Sequence, residues 1–281
     1  MQSIETIKAL REQISIIRNA GKKIALVPTM GNLHQGHLSL IERAQEISDY
    51  VVVSIFVNPT QFVAGEDFES YPRTLSDDLK LLENLGVDTV FTPATDEVYG
   101  HAEIHTEVTV PELDSIFCGE YRPGHFTGVA TVVTKLFNIV QPDIAVFGTK
   151  DYQQLLVIRS LVNNLNIPIE IIGAPTIREI DGLAMSSRNR YLTEVERQQA
   201  PVLYKCLSNV STSIKNGNKY YNDLENEAIS SLKEAGFKPE YFSICDAKTL
   251  KTPKNQELVV LAAAWLGKAR LIDNVAVQSY D

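Results

Sequence analysis

The chain has 281 residues and a formal net charge of −9, with 44% hydrophobic and 22% charged residues. Such acidity argues against a polyanion as main partner, because nucleic-acid binding relies on a clustered basic surface. No run approaches the ~18 apolar residues of a membrane span, and the length suits two domains of roughly 100–200 residues each.

Met1 to Ala20 alternates charge with Ile and Leu at helical spacing and lacks the apolar centre of a signal peptide. Short apolar runs at Ile24–Val27, Tyr50–Val57, Thr89–Phe91, Ile144–Phe147 and Ile169–Ile172 predict buried parallel strands. Helical periodicity lies between them, carried by Leu38, Ile41, Ala44 and Ile47, by Val129, Val132, Leu136 and Ile139, and by Leu155, Ile158 and Val162. The alternation predicts an α/β fold: a Rossmann-like, doubly wound parallel sheet covered on both faces, with ligands beyond the carboxyl ends of its strands. After Thr176 the pattern changes to helical segments around Glu194–Lys215 and Asn222–Ala235, then strand-like runs at Tyr241–Cys245, Leu258–Ala263 and Ala269–Val275. The expected division is residues 1–176 and a smaller α+β carboxyl-terminal domain, 177–281. Cys118, Cys206 and Cys245 show neither zinc spacing nor an even disulfide framework, so they read as reduced thiols of a cytoplasmic protein.

The first apolar run leads into Pro28-Thr29-Met30-Gly31-Asn32-Leu33-His34-Gln35-Gly36-His37, with a helix starting near Gly36. Free N–H groups at a helix start attract anions, and two imidazoles three residues apart can face one phosphate chain. Gly31 and Gly36 permit close approach of a ligand. Asn58 and Gln61, after the next run, offer neutral amides for hydroxyl or carboxylate oxygens, although an ordinary Asn-Pro turn explains Asn58 equally well. In Phe147-Gly148-Thr149-Lys150-Asp151-Tyr152-Gln153-Gln154, Lys150 is a candidate phosphate cation, and Asp151 either a helix cap or a hydroxyl acceptor. Met185-Ser186-Ser187-Arg188 reads as a mobile loop whose hydroxyls and guanidinium close over a triphosphate. Asp77 and Asp78 open a helix over Leu79–Leu85, where they read as dipole-stabilising rather than metal-binding.

The turn His34-Gln35-Gly36-His37 resembles the H-x-G-H signature of the nucleotidylyl-transferase superfamily. Together with Asn58-Pro59-Thr60-Gln61-Phe62, Tyr121-Arg122-Pro123-Gly124-His125-Phe126, the 147–154 segment, Met185–Asn189 and Arg270-Leu271-Ile272-Asp273-Asn274, it strongly resembles the pantothenate synthetase (pantoate–β-alanine ligase) family over nearly the whole chain. That resemblance implies ATP-dependent joining of (R)-pantoate and β-alanine through a pantoyl adenylate, releasing AMP and pyrophosphate. It also implies Mg2+ carried with ATP, no protein metal cage, a homodimer, and a lid role for 177–281.

By the same resemblance Met30 to His37, Gly148, Thr149, Lys150, Asp151, Ile177, Met185, Ser186, Ser187 and Arg188 bind ATP. His34, His37, Lys150 and Arg188 act on its phosphates. Gln61 takes pantoate and β-alanine, Gln154 takes pantoate, and Asn58 is a further candidate. Thr149 departs from the family's usual Glu, and Arg122 and His125 receive no role. The rivals are a nucleotidyltransferase that leaves AMP on another small acceptor, an aminoacyl-tRNA synthetase, and a non-catalytic nucleotide-binding module. Acidity and the lack of an anticodon-binding extension count against the synthetase, and the two histidines with Lys150 and Arg188 count against the module.

Overall fold

A computed structural model describes residues 1–101, 106–254 and 257–277. In chain order its strands are β1 (Gln2–Ile4), β2 (Ile24–Thr29), β3 (Tyr50–Ile55), β4 (Thr89–Phe91), β5 (Ile144–Gly148), β6 (Glu170–Ala174), β7 (Lys238–Asp246), β8 (Leu258–Leu266) and β9 (Ala269–Ala276). The helices are α1 (Ile7–Asn19), α2 (Gln35–Ile47), α3 (Leu75–Asn84), α4 (Thr95–Tyr99), α5 (Pro111–Asp114), α6 (Cys118–Tyr121), α7 (His125–Val140), α8 (Tyr152–Asn164), α9 (Glu194–Gln199), α10 (Val202–Lys215) and α11 (Tyr221–Glu234).

Strands β1 to β6 form one parallel sheet in the order β1-β4-β3-β2-β5-β6. Successive residues of β2, Ile24 to Val27, are all 0% exposed, so both faces of the sheet are covered. The helix α2 packs on β2, β3, β5 and β6, while α7 packs on β2 and against α1. From β2 the chain winds outward through β3 and β4, then returns to place β5 on the other side of β2. This makes β2/β5 the point where strand order reverses, and the segments leaving those strands flank the crevice that such sheets use for ligands.

Four local expectations need correction. The first three-residue strand, β1, was hidden inside the helical pattern of Met1–Ala20; Thr6 caps α1 by accepting from the Ala9 N–H at 3.3 Å. The segment 194–215 is two helices, because Pro201 lacks the N–H needed to continue α9 and sits as the cap of α10. The helix carrying Asp77 and Asp78 starts at Leu75. Residues 187–191 form a short 3-10 turn rather than a loop, with the Ser186 hydroxyl accepting from the Arg188 N–H at 3.3 Å.

Two compact units result: residues 1–149 with 154–175, and residues 150–153 with 176–281. Residues 150–153 group with the second unit because the Tyr152 hydroxyl donates to Ala247 O at 2.7 Å and the Asn274 amide donates to Lys150 O at 2.9 Å. The second unit is an antiparallel sheet, β7-β8-β9, with α11 on β7 and α10 on β8 and β9. Its core gathers Leu203, Leu207, Leu232, Val260 and Leu271. All three cysteines are free and buried, and burial pushes the Cys245 thiol up to about 11. Among the described residues no helix is long and apolar enough to cross a membrane.

Candidate active site

The turn between β2 and α2 is built on left-handed backbone. Gly31 has φ +78° and Asn32 φ +51°. A Cβ on Gly31 would meet Asp78 Oδ2 and Ile55 Cγ2 at 3.0 Å each, so a side chain is excluded by space as well as by angle. Asp78, 2% exposed, accepts from the N–H groups of Asn32 at 2.9 Å and Leu33 at 2.8 Å, with the Thr74 hydroxyl 3.2 Å away. From the first turn of α3 its carboxylate therefore also fastens this turn, a task the sequence reading did not give it. Asp77 remains exposed and pairs with Lys80 at 3.0 Å.

At the start of α2 the two histidines form a reciprocal cap. His34 Nδ1 accepts from the Gly36 N–H at 3.1 Å, and His37 Nδ1 accepts from the His34 N–H at 3.4 Å. The ring centroids are 4.1 Å apart. A nitrogen that accepts carries no hydrogen, so each neutral imidazole keeps its proton on Nε2. Both rings thus present an N–H donor at a helix amino terminus, where the backbone dipole already favours an anion.

Next to this turn, Gln61 closes a short 3-10 turn, Pro59–Gln61. Its Nε2 lies 3.2 Å from Met30 Sδ, and its Oε1 accepts from Asn58 Nδ2 at 3.1 Å. That second bond leaves the Gln61 amide nitrogen as the donor toward Met30. Asn58 itself is 1% exposed, and its Oδ1 accepts from the Tyr99 hydroxyl at 2.7 Å and from Thr60 Oγ1 at 3.0 Å. Burial pushes the Tyr99 phenol up and keeps it a donor. Asn58 is therefore engaged by protein atoms and holds Gln61 in place, in contrast to the ligand contact considered from sequence.

Gly148 ends β5, the Thr149 N–H donates to Ala174 O at 2.9 Å, and Gln154 is half-buried in the first turn of α8. The other predicted residues belong to the second unit. Lys150 is half-buried with Nζ 4.0 Å from Asp151 Oδ2. Residues 177–185 fold back on themselves: the Met185 N–H donates to Ile177 O at 3.0 Å and Arg178 bridges Ala184. Arg178 sets this hairpin, because its guanidinium donates to Asp273 at 2.6 and 2.9 Å and to Gly182 O at 3.1 Å, and stacks 3.7 Å over the Tyr204 ring. The 270–274 motif thus resolves into separate tasks: Arg270 pairs with Glu240 at 2.7 Å, Asp273 with Arg178, and Asn274 with Lys150 O.

What sequence reasoning missed is the supporting work: Asp78 fastens the β2-to-α2 turn, Tyr99 holds Asn58, and Arg178 with Asp273 sets the 177–185 hairpin. Among the described residues no cluster of three His, Cys, Asp or Glu side chains could hold a metal ion.

The chain matches a family model described as pantoate-beta-alanine ligase over residues 2–276. It is 52% identical over 280 residues to a pantothenate synthetase of Azotobacter vinelandii, covering 99% of each chain. A crystal structure of pantothenate synthetase from Thermus thermophilus matches with TM-score 0.93 at 42% identity, over 99% of this chain and 100% of that one. Pantoate-beta-alanine ligase from Francisella tularensis, solved in complex with beta-gamma ATP and beta-alanine, matches with TM-score 0.80 at 36% identity, over 100% of this chain and 99% of that one. With the match running through both units at this level of identity, the chain belongs to the pantoate–β-alanine ligase family.

Proposed function

We propose that the chain makes pantothenate from (R)-pantoate, β-alanine and ATP in two steps. The supporting observation is the pair of Nε2–H donors on His34 and His37, capped at the start of α2 beside the Gln61 amide. A pantoate carboxylate is already a nucleophile at neutral pH and needs no base. It attacks the α-phosphorus of ATP, the bond from that phosphorus to the bridging oxygen breaks, and pyrophosphate leaves. The amine of β-alanine then attacks the acyl carbon, loses a proton and displaces AMP.

The residues position the reactants and neutralise charge. Met30 to His37 cradle the phosphates, with Gly148 to Asp151, Ile177 and Met185 to Arg188 as further ATP contacts. Lys150 and Arg188 offset the negative charge that builds on the phosphate oxygens. Gln61 donates to the pantoate carboxylate and later to β-alanine, and Gln154 binds pantoate. Mg2+ would enter with ATP and supply charge neutralisation, held by phosphate oxygens and water, since Asp78 is engaged by Asn32 and Leu33. In this reading residues 1–176 bind ATP and pantoate, residues 177–281 serve as the lid, and the enzyme works in the cytoplasm as a homodimer.

Exchange of labelled pyrophosphate into ATP, with pantoate present and β-alanine absent, is the test. Pantoate-dependent exchange is expected. Exchange without pantoate, or none from folded protein, refutes the acyl-adenylate mechanism; a stable adenylylated product indifferent to β-alanine favours the nucleotidyltransferase alternative. Gln61→Ala is expected to raise the KM for pantoate about 10-fold, as for a lost hydrogen bond to a charged group, with the ATP KM almost unmoved. Equal loss toward both substrates would remove Gln61 from the acid pocket.

A further inference from the structure

We propose that Arg122 and His125 are positioning residues which, with Glu66, latch the main-chain carbonyl of Gln61 and so aim its amide at the acid substrate. The inference rests on the reading of Gln61 as a pantoate-binding residue. The Tyr121–Phe126 motif received no role from the sequence, yet its Arg122 and His125 meet Gln61. His125 begins α7 after Gly124, whose φ is +84°. Its Nε2 lies 2.8 Å from Arg122 Nη1, and its Nδ1 lies 2.7 Å from Gln61 O.

A guanidinium only donates, so Nε2 accepts and the ring hydrogen sits on Nδ1, pointing at the Gln61 carbonyl. Arg122 Nη2 reaches the same carbonyl at 3.4 Å. Glu66 holds Arg122 with both oxygens, at 2.5 and 2.7 Å, and also accepts from the Val63 N–H at 3.2 Å. The segment from Gln61 to Glu66 is thereby closed on itself.

Helix α7 leaves this segment little freedom. A Cβ on Gly128 would lie 2.2 Å from Thr60 O, and Gly128 O accepts from Asn58 Nδ2 at 3.2 Å. Gln61 is consequently fixed at both ends: the carbonyl by the latch, and the side-chain Oε1 by Asn58 at 3.1 Å. Loss of the carbonyl anchor frees the 3-10 turn to rotate and moves the amide off the pantoate carboxylate. A role confined to supporting the start of α7 would lower stability without separating one substrate from another.

The experiment compares KM values of His125→Leu, His125→Asn, Gln61→Ala and the double variant His125→Leu/Gln61→Ala in the full chain. His125→Leu is expected to raise the pantoate KM about 10-fold and leave the ATP KM within about 2-fold, while His125→Asn, which keeps a donor and an acceptor, recovers most of the loss. In the Gln61→Ala background His125→Leu should add less than about 2-fold, because its effect passes through Gln61. An unchanged pantoate KM in His125→Leu, or a full multiplicative effect in the double variant, overturns the latch. If Gln61→Ala raises the pantoate KM and His125→Leu does not, the latch falls and the acid-pocket reading stands; if Gln61→Ala does nothing, both fall. Should His125→Leu fail to fold, Arg122→Lys carries the same comparison, since it keeps the charge facing Glu66 but loses the donor to His125.

Discussion

His37→Ala is expected to slow adenylate formation in a single turnover by about 10²-fold or more, the loss seen when one donor to a developing anion is removed. The geometry makes the imidazole a directed donor. Its Nδ1 is committed to the His34 N–H at 3.4 Å, so the proton is on Nε2 without the ring having to be cationic. His34 is oriented the same way by the Gly36 N–H at 3.1 Å, and the rings lie 4.1 Å apart between centroids. Such donors cost no reorganisation when charge moves onto the leaving pyrophosphate. They favour the transition state over bound ATP, so the loss belongs in the rate and only weakly in the ATP KM. Pyrophosphate is a good leaving group, which makes charge stabilisation the larger contribution and literal proton transfer the smaller. An unchanged single-turnover rate would remove His37 from the chemistry.

The parts of this site that were legible in the sequence are those specified locally. The β2-to-α2 turn could be read because strand, glycines and histidines follow one another within a few residues. The carboxyl-end rule then places Gln61 and Gly148 on the same edge of the sheet. The supporting residues were hidden because their meaning depends on distant partners. An acidic pair in the first turn of α3 looks the same whether it faces the helix dipole or, as Asp78 does, a turn 45 and 46 residues away. Asn58, after a strand, read equally as a ligand contact or as part of an ordinary Asn-Pro turn, and only burial against Tyr99 and α7 shows its amide turned inward. Pro201 did mark the break between α9 and α10, and the helical periodicity running across it concealed the signal.

Asp273→Ala is expected to destabilise the second unit by about 3 kcal/mol or more, because it leaves a guanidinium in a desolvated place without its counter-charge. The Asp273 side chain is 2% exposed and that of Arg178 19%. Burial raises the Asp273 carboxyl above its ordinary value against the pull of Arg178 and of the Asn274 N–H, a sign of how much desolvation the pair must offset. The remaining partners of Arg178, the carbonyls of Gly182 at 3.1 Å and Asn274 at 3.4 Å and the Tyr204 ring, cannot supply a full negative charge. The chain has a single tryptophan, Trp265, in the central strand β8 of this unit, so its fluorescence during urea unfolding reports the second unit selectively. A loss below about 1 kcal/mol, the range of exposed ion pairs, would show that the pair contributes no more than a surface bridge. Activity is expected to fall even where the variant remains folded, because Asp273 accepts from the Asn274 N–H at 2.8 Å and Asn274 in turn holds Lys150 O at 2.9 Å. Loosening that chain of contacts releases Lys150 and the 177–185 hairpin together, so the rate should drop while the Gln61 turn in the first unit stays intact.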